Sequence, residues 1–455
     1  MRLAGAGVFR VVAAILRRGG NVASMAKVLA LRSLALGVNV LTGLLTAAAL
    51  GPAGRGELTA LGVAPAFLAG IASFGLHGSL IYNVKADPEH EPEYVGAALI
   101  MTGAAGLVFA LAGAVVEPYW LAQYGQHTIA LARVLLLATP IACMTWALVA
   151  TAEARGWFGF ANAMLYFQSS CTLVILIPLI GLGLLTPFKA ALAYSGPCLP
   201  VFTCLIWRAV REVRPVLAVR APFPKRLLSY GLRLYGVDIL GTLSSYLDQV
   251  VVIAILVPGL VGIYSVALSS ARVLAVLQGA ITSVLFPSIA ARSTAEIVER
   301  VSATLRMASL VTGVSALALG VVAPYAIVLL YGARFADATG PFRLLLLDVA
   351  IVSSARILYL AYSGSGRPEW VSAFETVGVA VSVSFMLVLV PHFNVIGAAV
   401  SVLSGSLARL VCGVAGLPVI LNVEIPRLLL SWSDVKAGAR ALRLRVPAAA
   451  ADTAP

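Results

Sequence analysis

AALIMTGAAGLVFALAGAVV, residues 97–116, runs for twenty positions without an ionisable side chain. At 1.5 Å of rise per residue, a helix of that length spans about 30 Å, the thickness of a bilayer's hydrocarbon core. Comparable stretches recur along the whole chain. They place spanning helices at about 28–50, 60–84, 97–116, 128–152, 160–182, 187–207, 231–257, 261–289, 304–328, 342–364, 370–391 and 395–421. The fold class is an all-α polytopic membrane protein of about twelve transmembrane helices. Short alternating segments, the mark of a transmembrane barrel, are not the pattern here.

Composition agrees. Of 455 residues, 60% are hydrophobic and 11% charged, against roughly 25% charged in soluble domains. The net charge of +13 does not indicate nucleic acid, because the basic residues sit in short segments between apolar spans. There they orient helices and meet anionic lipid head groups. The cysteines (Cys143, Cys171, Cys198, Cys204, Cys412) fall within apolar spans without a CxxC, and His77, His90, His127 and His392 are scattered. Neither set suggests a metal centre or a disulfide framework.

About 21 Lys and Arg lie on the side that holds both tails and the central loop; the other side holds about four, Arg55, Lys189, Arg334 and Arg343. This asymmetry places both termini in the cytoplasm. The acidic loop Lys85 to Tyr94 departs from the trend. Residues 1–27 read as a cytoplasmic amphipathic segment rather than a cleavable signal. An N-lobe (28–207), a basic linker (208–230), a C-lobe (231–421) and a basic, then disordered, cytoplasmic tail (422–455) follow.

The halves repeat each other. Leu50-Gly51-Pro52-Ala53-Gly54-Arg55-Gly56 matches Leu256-Val257-Pro258-Gly259-Leu260-Val261-Gly262 in Leu, Pro and Gly at an offset of about 206 residues. The same offset pairs Lys27 with Arg233 and Pro118-Tyr119 with Pro324-Tyr325. Six helices per half start both halves on the same side, so the repeat is parallel, a transporter architecture.

These motifs, with Ser73-Phe74-Gly75-Leu76, Asp248, Val261-Gly262-Ile263-Tyr264-Ser265, Leu285-Phe286-Pro287, and Leu330-Tyr331-Gly332 with Phe335, carry a resemblance. The chain resembles the Wzx-like polysaccharide-biosynthesis (O-antigen) flippases of the multidrug/oligosaccharidyl-lipid/polysaccharide (MOP) exporter superfamily. The resemblance implies two six-helix, MATE-like lobes around a cavity that opens alternately to each side. It implies a cargo of undecaprenyl-pyrophosphate-linked sugar units in a bacterial inner membrane.

Charges inside a bilayer need a reason. Arg32 and Arg133 lie near span ends, where they either snorkel or meet substrate. Arg272, Arg356 and Arg409 lie deeper and are the first candidates to bind an anionic pyrophosphate, since a guanidinium grips phosphate through two hydrogen bonds. The alternative is a structural ion pair, foremost Asp248 with Arg272. Asp238, Asp248, Asp348 and Glu375 serve either as counter-ions to these arginines or as coupling sites for H+ or Na+. Glu57, Glu117 and Glu153 sit at helix ends, leaving the first half without a deep acid. Tyr166, Gln168, Tyr246 and Tyr264 are candidates for sugar contact, or belong to the interfacial aromatic belt.

A flippase of lipid-linked oligosaccharide is the first functional expectation, needing no cofactor and no catalysis. A MATE-like multidrug or cation antiporter is the alternative, disfavoured by the missing acids of the first half. A membrane enzyme would need larger periplasmic loops, and no P-loop pattern marks an ATPase. Expected partners are the lipid-linked substrate and membrane lipids. The basic linker either orients helices or docks polysaccharide polymerase or glycosyltransferase machinery.

Overall fold

The computed structural model describes residues 21–217, 221–275 and 293–425. The N-terminal segment up to residue 20, Leu285-Phe286-Pro287, most of the basic tail and the side chain of Arg32 lie outside what is described. The helices are α1 (Asn21–Ile71), α2 (Leu76–Ala86), α3 (Glu91–Trp120), α4 (Gln126–Leu136), α5 (Ala138–Ala154), α6 (Phe158–Gly181), α7 (Pro187–Ser195), α8 (Cys198–Glu212), α9 (Phe223–Ile255), α10 (Pro258–Arg272), α11 (Thr294–Tyr331), α12 (Thr339–Gly364) and α13 (Glu369–Ile420). No strand occurs among the described residues.

Helices α1 and α13, with 51 and 52 residues, are about twice the length a bilayer needs. Each is broken once. Gly51 leaves the helical region at φ 67°, ψ −179°, and Asn394 at φ 50°, ψ −128°. Nine stretches among the described residues are long and apolar enough to cross a bilayer. The breaks at Gly51 and Asn394 divide α1 and α13 into two helical segments each, and most of the second half of the expected span 261–289 lies outside the described residues. Several boundaries are corrected: the expected spans 60–84, 128–152 and 187–207 are each divided, between α1 and α2, α4 and α5, and α7 and α8. Leu50 to Gly56, expected as a connection between helices, is helical on both sides of Gly51, and Pro52 sits where the second helix starts and its missing N–H costs nothing.

The chain divides into two compact units, Met1–Val266 with Leu330–Phe335, and Ala267–Leu329 with Ala336–Pro455. The division falls inside α10 rather than in the 208–230 segment. In the first unit, Leu76, Leu80, Tyr94, Leu99, Leu148 and Leu227 form a core between α2, α3, α5 and α9. In the second, Val301, Leu305, Leu358, Tyr362, Phe374 and Leu417 join α11, α12 and α13. Large apolar side chains also face outward: Val115 is 70% exposed and Leu329 85%. In water such a surface would aggregate; in a bilayer it is the solvent-facing surface.

The acidic loop finds its explanation in the first unit. Arg155 closes a two-point salt bridge on Glu91, Nε to Oε1 at 2.8 Å and Nη2 to Oε2 at 2.9 Å. Arg226 lies 3.3 Å from Asp87, which also meets His90 at 2.8 Å. Hydrogen bonding to His90, then the Arg226 charge, holds the Asp87 carboxyl below its usual range. Asp87 and Glu91 are thus counter-ions to Arg226 of α9 and to Arg155 at the end of α5.

Candidate functional site

In the first unit the chain breaks between α1 and α2 at Ala72–Gly75, with Phe74 at φ 44° and Gly75 at φ 67°. Gly75 lies against the backbone of Gly231 on α9, where a Cβ would overlap the carbonyl. Tyr235 Oη donates to the Ile71 carbonyl at 2.8 Å and fixes the break from the other side. The turn aims His77 at α5. Its Nδ1 lies 3.3 Å from the Trp146 carbonyl and its Nε2 3.1 Å from Glu153 Oε2. Asp238 of α9 is exposed and within electrostatic reach of His77. Three titratable groups from three helices therefore meet beside the break, and only Asp238 was singled out from the sequence.

Further along the first unit, Tyr264 Oη donates to Asp248 Oδ2 at 2.7 Å. Arg55, from the first copy of the repeated motif, donates to Thr46 Oγ1 at 2.9 Å. Arg133 is exposed.

Glu117 is an acid of the first half that the sequence placed at a helix end. It is near the end of α3 in sequence, yet only 2% exposed. Both of its carboxyl oxygens are buried without a hydrogen-bond partner among the described residues. It borders a cavity of about 300 Å³ walled by Phe67, Leu68, Phe109, Val116, Leu136 and Trp120. The Trp120 indole N–H is already given to the Val250 carbonyl, at 2.8 Å. Counting residues to a helix end could not reveal this, because α1, α4 and α9 cover that end only in the folded unit.

In the second unit, Arg409 is 6% exposed and its Nε donates to Glu375 Oε2 at 2.9 Å. Gly378, one turn after Glu375 on the same helix, makes the room: a Cβ there would lie 2.5 Å from Arg409 Nε. The hydroxyl of Tyr359 is buried without a hydrogen-bond partner among the described residues. Glu375, Arg409 and Arg356 all act on it electrostatically. The structure thus brings Arg356 and Arg409 together around Tyr359, a residue the sequence did not single out. Their situations differ: Arg409 is buried and held by an acid, whereas Arg356 is exposed. Asp348 is buried at 8% exposure on the same helix as Arg356, and Arg272 is exposed. Among the described residues, no cluster of His, Cys, Asp and Glu has the composition of a metal site.

The fold has known counterparts. The model of a polysaccharide biosynthesis protein family matches residues 45–339. No curated protein sequence matches the chain. Among solved structures, an inward-facing multidrug resistance MATE family transporter of the MOP superfamily aligns with TM-score 0.67 at 15% identity, over 86% of this chain and 95% of that one. The lipid II flippase MurJ in an inward closed conformation aligns with TM-score 0.72 at 12% identity, over 85% and 86%. A MOP superfamily transporter from Pyrococcus furiosus aligns with TM-score 0.59 at 14% identity, over 87% and 94%. With a family match over well more than half its length and the fold of the MOP exporters, the chain belongs to the polysaccharide biosynthesis protein family.

Proposed function

We propose that this protein is a flippase that carries undecaprenyl-pyrophosphate-linked oligosaccharide units across the bacterial inner membrane for surface polysaccharide synthesis. The observation that carries the reading is the family match joined to an exposed Arg356 beside Tyr359 in the second unit. With Glu375 holding Arg409, Arg356 has the charge to offer an anionic pyrophosphate, and its planar fork suits two phosphate oxygens. In this reading two six-helix lobes rock about the repeat axis, both termini face the cytoplasm, and the lipid tail stays in the bilayer. The likeness to a structure described as a lipid II flippase supports a lipid-linked cargo.

A multidrug antiporter is the second reading. The buried Glu117 favours it, since cationic drugs call for acids that the first half was expected to lack.

Deleting the gene in its native bacterium and weighing the lipid-linked sugars by mass spectrometry separates the two. Accumulated undecaprenyl-pyrophosphate oligosaccharide with lost surface polymer is the flippase result. Normal intermediates and polymer, with new sensitivity to cationic drugs, overturn it in favour of the antiporter.

A further inference from the structure

The cavity beside Glu117 has no task in the flippase reading. Its volume of about 300 Å³ lies at the small end of ligand pockets, roughly 300–1,000 Å³. Ala64, Phe67 and Leu68 of α1, Leu136 of α4 and Val250 of α9 wall it with hydrocarbon. Along α3 the wall runs from Phe109 to Trp120, roughly 16 Å of helix at 1.5 Å per residue. The space is apolar and follows a spanning helix, as the chain of a bilayer lipid does.

Ala112 and Val116 line the cavity and are also exposed. They adjoin Val108, Leu111 and Val115, a stripe of exposed apolar side chains on the same helix, so the mouth opens on the bilayer. Glu117, at 2% exposure, presents two carboxyl oxygens without a hydrogen-bond partner among the described residues. The other polar wall group, the Trp120 indole N–H, is given to the Val250 carbonyl. Tyr119, 83% exposed, marks the interfacial aromatic belt at this end of α3.

These groups select among occupants. Water needs about two to four polar partners, and a metal cation several more oxygen ligands. A neutral carboxyl donates one O–H bond and buries no charge; its complement is one acceptor on an otherwise apolar molecule. The ester carbonyl of a glycerolipid is such an acceptor, held at the interface at the top of a hydrocarbon chain. Arg133 of α4 is exposed, lies within electrostatic reach of Glu117, and has the charge to meet a lipid phosphate outside the cavity.

We propose that this cavity binds one acyl chain of a diacyl glycerophospholipid from the surrounding leaflet, its ester carbonyl accepting a hydrogen bond from Glu117. The lipid is a fixed component of the first unit rather than cargo, so the inference stands apart from the flippase reading.

The first test uses full-length protein in nanodiscs containing phosphatidylglycerol with a diazirine midway along one chain. After irradiation the peptides are weighed. The expected result is insertion into residues 64–68, none of them exposed, falling at least fivefold in Ala64→Phe, whose ring fills the space. Insertion at the outward-facing Val314, Leu317 and Val321 of α11 should not change. No insertion at 64–68, or undiminished insertion in folded Ala64→Phe, overturns the cavity as a chain site.

The second test is native mass spectrometry of the wild type, Glu117→Gln and Glu117→Leu, loaded with diacyl or dialkyl-ether phosphatidylglycerol of equal chain length. The wild type and Glu117→Gln, whose amide N–H still donates, should each retain one diacyl lipid. Glu117→Leu, and the wild type with the ether lipid, should retain at least fivefold less. Equal retention of both lipids by the wild type, or undiminished diacyl retention by folded Glu117→Leu, overturns the hydrogen bond. An isoprenoid or an amphiphilic amine retained from the native membrane in place of a glycerolipid overturns the occupant.

Discussion

Gly56 and Gly262 face each other as equivalent residues of the two repeats: a Cβ built on either would lie 3.0 Å from the backbone nitrogen of the other. The same Cβ atoms would overlap the carbonyls of Pro258 and Pro52, respectively. The contact is reciprocal, residue for residue, at the offset of about 206 seen in the sequence. The two motifs thus meet reciprocally within the first unit.

Alanine at either glycine should therefore be costly, since a backbone carbonyl cannot rotate away as a side chain can. Overpacking in a tight interface costs roughly 1–3 kcal/mol and more where nothing yields. Gly56→Ala and Gly262→Ala should each lower the melting temperature of the detergent-purified protein, read by fluorescence size-exclusion after heating. The double variant should lose less than the sum of the singles, because both strain one contact. Wild-type melting of both single variants would contradict the close approach.

The Arg409–Glu375 pair makes a second prediction. Removing one member of a buried ion pair costs about 3–5 kcal/mol, because the other charge stays behind. Arg409→Ala should be the more harmful change, and Arg409→Ala with Glu375→Ala milder than Arg409→Ala alone. Gly378→Ala should imitate Arg409→Ala without touching either charge, by pushing the arginine stem aside. Thermal unfolding of the four proteins checks the order.

Arg356 should behave differently, because it is exposed. Arg356→Ala should leave melting within about 0.5 kcal/mol of wild type, as surface changes do. It should abolish restoration of surface polymer in a deletion strain, with Arg356→Lys intermediate because an ammonium keeps the charge but not the fork. Full restoration by well-expressed Arg356→Ala would remove it from the site.

Asp87 supplies a pH prediction. Its carboxyl is held below the usual value of 3.8, first by the His90 hydrogen bond and then by the Arg226 charge. A lowered carboxyl stabilises the fold fully above its ordinary value and loses that contribution as pH falls through the folded value. The melting-temperature gap between wild type and Asp87→Asn should be present at pH 6 and close below about pH 4. A gap that widens on acidification would contradict the sign.

Much of the fold was legible because a bilayer imposes its own arithmetic. Spans such as 97–116 announce themselves by length and lack of charge, and Asn394 breaks α13 within the connection expected between 370–391 and 395–421. Legibility ended where a property depends on what covers a residue. The expected spans left most of LGPAGRG between them as a connection, but Pro52 tolerates the start of a helix and only Gly51 leaves helical geometry. Counting from helix ends says nothing of what packs around a side chain, and Arg409 and Glu117 are both buried, at 6% and 2% exposure.

The sequence by itself determined the membrane class and the approximate place of the spans, since both rest on composition and length along one chain. Tertiary structure alone decided which charges are spent on one another. Glu375 reaches Arg409 across 34 residues, Glu153 meets His77 across 76, and Glu117 is enclosed by helices far from it in sequence. Charge pairing and desolvation depend on distances in space, and those are set only when the helices pack.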